Sequence, residues 1–373
     1  MGNQASKVID RTRERKSKRK PTTNRRRSTI TLGAQSYVSH TGSAQSQGNY
    51  DWIDENQMTA LSERAIHAAL KAAATSSTSS SSPDPAATPA PPRRKSITEF
   101  FTRRKMSVAR PSEDEYREYD RLQRQHYLLK SARKANIWAP VESPMVIVDS
   151  GTGNGIWALE TASQFGRAQV LGMDIRPPPE QQGGPKNLRY VEANVMETWP
   201  MADNAVDFIF QRNMGQVIHQ DMWPKVLKEM FRVLKPGGYI ELVESDLWHH
   251  NAGPVQQAFD AFFQEQCKEL CLDFTFTETL PEKIEQAGFS TLDHRSLDIP
   301  VGEWPQESEL KQFGFINKET QKAFLRNRKY FYVSKWGISV EEYDLAVQEL
   351  LDEFDEYHGF TRFHCWTATK PTL

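Results

Sequence analysis

An α/β fold is predicted: a doubly wound, mainly parallel sheet behind a long, disordered basic tail. Three observations carry the prediction. Composition and charge change sharply near residue 110. Beyond that point, short apolar runs alternate with amphipathic segments at helical period. The first such run and the first such helix are joined by a glycine-spaced turn in "IVDSGTGNGIWALE", Ile147 to Glu160.

Residues 1–110 hold 20 Lys/Arg against 8 Asp/Glu, a net of +12. The whole chain is −1, so residues 111–373 carry −13. A basic tail is thus joined to an acidic globular domain, and these are the two expected regions. The opening "MGNQASK" fits an N-myristoylation pattern, with Gly2 exposed after loss of Met1 and Ser6 following. Residues 1–30 then carry 11 Lys/Arg against two acids, the second signal that one lipid chain needs for stable membrane attachment. Cytoplasmic, membrane-associated placement on an anionic surface follows. A nuclear address and a plain solvated tail are the alternatives for the same cluster. Ser28 and Ser96 follow paired arginines, where a phosphate would subtract charge from the patch. Leu61, Ala65, Ile66, Ala69 and Leu70 fall at helical spacing, and residues 76–92 are a Ser/Pro linker.

The globular part opens with "SEDEYREYDRLQRQHYLLKSARKAN", a helix capped by Ser112 with acids first and cations last. "MVIVDS" reads as a buried strand, "IWALETASQF" as a helix, and "AQVLGMDI", "LRYVEAN", "VDFIFQ" and "YIELVE" as strands two to five. "DMWPKVLKEMFRVL" is a helix between the last two, and "LKPGG" is the turn into strand five. Helices are expected at 253–272, 279–287, about 307–334 and 340–356. "GFSTLDHRSLDI" and "GFTRFHCWTATKP" supply two more strands, placed as an antiparallel hairpin at the sheet edge. No run of 18 apolar residues is present. Cys267, Cys271 and Cys365 are an odd set without a secretory signal, read as free thiols.

A strand-to-helix turn presents backbone N–H groups and the positive helix end to a ligand. The dinucleotide fingerprint needs G-x-G-x-x-G, but here Gly151, Gly153 and Gly155 are followed by Ile156. The pattern D-x-G-x-G-x-G instead resembles the first motif of class I S-adenosylmethionine-dependent methyltransferases. With "EYDRLQRQHYLLK", "WAPV", "VDFIFQRNM" and "VLKEMFRVLKPGGYIELVE", the chain resembles the fungal LaeA/UMTA-like family over about residues 113–300. That resemblance implies a Rossmann-like seven-stranded methyltransferase sheet and S-adenosyl-L-methionine as cofactor. It places Asp149, Gly151, Thr152, Gly153 and Gly155 at the methionine end and Asp174 on the ribose hydroxyls, with Ile175 beside it. Asn194 and Val195 meet the adenine, and Gln211 and Arg212 flank the methionine moiety. The family usually has Asp at position 194 and Thr at 154, where this chain has Asn194 and Asn154. The helix holding Gln125, His126 and Tyr127 would cover the cofactor; a core Tyr127 and a solvent-facing His126 are the plainer alternative.

Methyl transfer from a sulfonium relies on positioning, and a base matters only when the acceptor must lose a proton early. His219 and Glu244 are the candidates for that role, with Asp246, His249 and His250 nearby in "VESDLWHH". Trp157, Trp248 and the phenylalanines build either an acceptor site or the core. No metal constellation is evident among the nine histidines. The acidic globular part argues against specific nucleic-acid binding, which needs Lys and Arg on phosphates. Expected partners are a methyl acceptor, an anionic membrane surface and regulatory proteins. Three functions compete: a methyltransferase, a LaeA-type regulator with little turnover, and a nicotinamide oxidoreductase, which the glycine register disfavours.

Overall fold

The computed structural model describes residues 113–179 and 183–372. Gly2, the basic cluster, Ser28, Ser96, the helix around Leu61, the Ser/Pro linker and Ser112 all lie outside the described residues.

Helix α1 (Glu113–Arg133) places Lys130 and Arg133 in its last turn, where cations meet the negative helix end. β1 (Val146–Ser150) is buried throughout because parallel neighbours flank it, β2 (Gln169–Asp174) and β4 (Val206–Arg212). α2 (Ile156–Gln164) joins β1 to β2. β3 (Leu188–Glu192) pairs in parallel with β2. α3 (Trp223–Val233) has Pro224 at its start, where the missing N–H costs nothing. β5 (Leu234–Ser245) then extends the parallel set beside β4. Beyond it lie α4 (Pro254–Glu269), α5 (Phe276–Gln286), β6 (Ser290–Pro300), α6 (Ser308–Asn327), α7 (Lys329–Trp336), α8 (Val340–Glu356) and β7 (Phe360–Thr369).

The sheet has seven strands in the order β3-β2-β1-β4-β5-β7-β6. Side chains alternate between its faces, as strand period requires. Val148, Leu171, Ile209 and Leu242 pack on one face with Trp223, Met230 and Phe276 from α3 and α5. Ile147, Val170, Phe208 and Phe210 pack on the other with Trp157 of α2, whose ring stacks on Phe210 at 4.0 Å. A separate cluster joins α4, α6, α7 and α8 through Phe259, Phe262, Leu325, Tyr332, Tyr343 and Leu350.

Three elements differ from the sequence expectation. β6 and β7 are antiparallel partners but not an edge hairpin: β7 inserts between β5 and β6, and α6 to α8 fill the connection. The "LKPGG" segment is part of β5. Leu234 pairs with Val206 and Tyr239 with Phe208, so Lys235–Gly238 bulge out, with Gly237 at φ 78°. Asp207 pins that bulge to β1, taking the Lys235 ammonium at 2.8 Å and the Val146 N–H at 2.9 Å. Finally, the helix expected at 307–334 is two helices, broken at Arg328, where φ and ψ are −104° and 4°. The apolar period continues through the break, so it leaves no mark in the pattern.

Glu241 of β5, fully buried, ties α1 to the sheet. It pairs with Arg133 and accepts the N–H groups of Trp138 and Ala139, both at 2.7 Å.

Candidate functional site

Parallel strands end along one sheet edge, and a cavity of about 350 Å³ opens above the ends of β1, β2, β4 and β5. Its first wall is the glycine turn. Gly151, Gly153 and Gly155 all have positive φ, between 56° and 75°. At Gly151 a Cβ would lie 2.4 Å from the Met214 sulfur, whereas at Gly153 it would meet only Leu122, at 3.4 Å, and project into the cavity. The Gly151 and Thr152 N–H groups both donate to the Met173 carbonyl, at 2.8 and 3.0 Å, which welds the turn to β2. The Thr152 hydroxyl donates to Asp149 at 2.6 Å. Asp174 accepts the Gly153 N–H at 3.0 Å and the Arg176 N–H at 3.0 Å, with its carboxylate still on the cavity wall.

Helix α1 forms the facing wall through Glu118, Arg121, Leu122 and Gln125, an i, i+3, i+4, i+7 face. Gln125 accepts the Asn213 amide at 2.8 Å. His126 is wholly buried and Tyr127 is exposed, the reverse of the plainer sequence alternative. Arg212 can only donate, so His126 Nδ1 accepts from it at 3.3 Å and Nε2–H donates to Glu160 at 3.0 Å. That arrangement fits a neutral ring, and burial holds the His126 pKa below its ordinary value. Burial opposes ionisation of Glu160 as well, but hydrogen bonds from His126 and Lys130 outweigh it and bring Glu160 to about 2.

Asp149, Gly151, Thr152, Gly153, Asp174, Arg212 and Glu244 are brought together on this cavity. Gln125, Trp157, Asp246 and His249 line it as well, whereas Gly155, Ile175, Asn194, Val195, Gln211 and His219 do not. Gly155 starts α2, its carbonyl taken by Tyr190 at 3.2 Å and Leu159 at 2.9 Å. Ile175 follows the end of β2 and is 54% exposed. Asn194 spends its amide oxygen on the Met196 N–H at 3.0 Å, an Asx turn, while Val195 is buried in the core. Gln211 is buried and accepts from Ser150 at 3.1 Å. His219 is exposed and its backbone carbonyl holds a turn, so the base role expected for it lacks a position. Glu244 does line the cavity, but its two oxygens accept the Met214 and Gly215 N–H groups, each at 3.0 Å. It shapes the exit of β4. Sequence reasoning offered the phenylalanines only as a class, for an acceptor site or the core; it did not single out the far half of the chamber, where Phe259, Phe324, Tyr332, Phe354, Phe363 and Arg328 converge from four distant segments. No local spacing could have joined them.

Burial pushes the Asp149 carboxyl up to about 6 and that of Glu244 to about 7, and it lowers Arg212 to about 10. Burial likewise raises Glu353 to about 7, although it accepts from Val255 and Gln256. A carboxyl raised in the folded state binds its proton more tightly there than in the unfolded chain. Its stabilising effect is complete below the unfolded value and is lost as pH rises through the folded one. Melting temperature is therefore expected to fall between about pH 5 and pH 7.5, with Glu244 alone worth on the order of 3 kcal/mol. Differential scanning fluorimetry across that window checks this, and Glu244→Gln should flatten the slope. A melting temperature rising with pH there would contradict it.

Residues 147–238 match the family model described as a methyltransferase domain. "Methyltransferase pytC" of Aspergillus terreus is 28% identical over 217 residues, 55% of this chain and 65% of that protein. "Protein-methionine methyltransferase laeA" of Emericella nidulans is 27% identical over 270 residues, 68% of this chain and 70% of that one. The chain thus spans about two thirds of the length of these relatives. Among solved structures, a phosphoethanolamine N-methyltransferase of Haemonchus contortus in complex with S-adenosyl-L-methionine aligns at TM-score 0.43 and 19% identity, over 67% of this chain and 53% of that one.

Proposed function

We propose that this chain is a class I S-adenosylmethionine-dependent methyltransferase of the LaeA-like fungal type, and that it methylates a small-molecule, lipid or protein acceptor seated in the aromatic half of the cavity. One observation carries the reading: the glycine turn and Asp174, joined by a hydrogen bond, open onto a chamber that runs past Arg212 to an aromatic far wall.

The donor set suits the cofactor. Asp174 keeps lone pairs for two ribose hydroxyls, Arg212 suits the amino-acid carboxylate, and Asp149 suits the ammonium group. Gly153 leaves room where any Cβ would intrude. When bound, S-adenosylmethionine supplies an electrophilic methyl group on a sulfonium. This chain's residues orient the reactants and exclude water, and positioning accounts for most of such a displacement. Glu244 contributes by fixing Met214 and Gly215, not by taking a proton.

Calorimetric titration of the full chain with S-adenosylmethionine, S-adenosylhomocysteine and NAD tests the reading. Binding of the first two without NAD is expected; silence toward both sulfur nucleosides would sink it.

A second reading has its own support. The Emericella nidulans relative is named a secondary metabolism regulator as well as a protein-methionine methyltransferase. A regulator that binds cofactor and protein partners with little turnover would share every residue above. Cofactor binding without methyl transfer to any offered acceptor would favour it.

The tail supports a place of action on the cytoplasmic face of an anionic membrane, since Gly2 fits the acylation pattern and residues 1–30 carry a net of +9. A nuclear address is the alternative. Gly2→Ala is expected to shift the chain from membrane to soluble fractions in cells; unchanged partition would remove the lipid anchor.

A further inference from the structure

We propose that Arg328 binds an anionic oxygen group on the methyl acceptor, which makes the acceptor an acidic compound with an aromatic or extended apolar body. The proposal rests on the methyltransferase reading and narrows its acceptor class.

Arg328 sits at the break between α6 and α7 and lines the far half of the cavity. Its guanidinium carbon lies 3.7 Å from the centroid of the Phe324 ring, a cation–π contact that holds the group against that wall. Among the described residues it forms no side-chain hydrogen bond or ion pair with any carboxylate. Every acid of the cavity is engaged elsewhere. Glu118, whose charge acts on Arg328, gives its oxygens to Arg121 at 2.6 Å and Asn327 at 3.1 Å. Asp260 takes Gln256 at 2.6 Å and His249 at 3.2 Å. Asp246 takes Thr277 at 2.6 Å, His250 at 2.7 Å and His364 at 3.1 Å. Asp174 and Glu244 accept backbone N–H groups, and Asp149 accepts the Thr152 hydroxyl.

The wall carries more carboxylates than guanidiniums, yet the carboxylates are satisfied within the fold and Arg328 is not. Burial also draws the Arg328 guanidinium below its ordinary value, as desolvation of a cation without a bonded partner does. A rigid fork of N–H donors matches a carboxylate in bidentate fashion. Phe259, Tyr332, Phe354 and Phe363 surround the remaining space and suit an apolar body. Among the described residues that line the cavity, Arg212 is the other cation without a carboxylate in hydrogen-bonding range; it lies at the end of β4 beside the glycine turn and suits the cofactor side.

The test uses the full chain saturated with S-adenosylhomocysteine and three probes of one shape: naphthoic acid, naphthamide and naphthylmethylamine. Calorimetry is expected to show the acid binding at least ~10-fold more tightly than the amide or the amine. Arg328→Gln should erase that preference while S-adenosylhomocysteine affinity stays unchanged, and Arg328→Lys should keep part of it. Equal binding of the three probes, preference for the amine, no binding of any probe, or a preference that survives Arg328→Gln each overturns the proposal. Loss of S-adenosylhomocysteine binding by the wild-type chain would instead remove the methyltransferase reading beneath it, and the initial titration reports that separately.

Discussion

Asp174→Ala is expected to weaken S-adenosylhomocysteine binding by at least ~100-fold. Two hydrogen bonds from ribose hydroxyls to a charged acceptor, at about 1.5–3 kcal/mol each, account for that loss. The substitution also frees the Gly153 N–H, which Asp174 accepts at 3.0 Å, so the glycine turn loses its tie to the end of β2. Asp174→Asn separates the two effects. It keeps an oxygen for Gly153 but loses the charge, and about a tenfold loss is expected. Calorimetry on both variants is decisive. Affinity within a few-fold of wild type for Asp174→Ala would mean that the carboxylate only staples the turn.

The second large effect falls on stability. Glu241→Ala is expected to cost about 3–5 kcal/mol, because it strands Arg133 as a buried, unpaired cation. The Trp138 and Ala139 N–H groups lose their acceptor at the same time. Position 241 is central: it pairs with Phe210 of β4 on one side and Thr367 of β7 on the other. A urea unfolding midpoint measures the loss, with Glu241→Gln as the milder variant that keeps one acceptor oxygen. A shift equivalent to less than about 1 kcal/mol would show that Arg133 finds another partner.

Much of the sheet was legible before the structure. The inner parallel strands are short apolar runs because both of their faces are covered, and the runs ending at Ser150, Asp174 and Arg212 stand close to where they were expected. The glycine turn was legible for a related reason, since three positive φ angles leave a residue-level trace. What stayed hidden depends on tertiary choice. Nothing in "GFTRFHCWTATKP" says that β7 inserts between β5 and β6, because the order of strands is set by backbone pairing, which leaves the face alternation of side chains the same at either position. The break at Arg328 is silent because the α6 period runs on into α7. Asn194 was expected to face a ligand, but its amide closes a local turn, a competition open to every Asn after a strand. His126 is buried and Tyr127 exposed, the reverse of the plainer alternative, because the α1 face toward the sheet is set by the partners Glu160 and Arg212.

The insertion of β7 divides the chamber along the chain. Asp149, Asp174 and Arg212 come from the first strands, whereas Phe324, Arg328, Tyr332 and Phe354 all come from the segment that leaves the sheet after β6 and returns at β7. Those two antiparallel strands act as a clasp: whatever lies between them is delivered to the far half of the same cavity without disturbing the glycine turn. A lineage carrying this architecture can exchange the three-helix insert and so change which compound is recognised, while the nucleoside end is inherited unaltered.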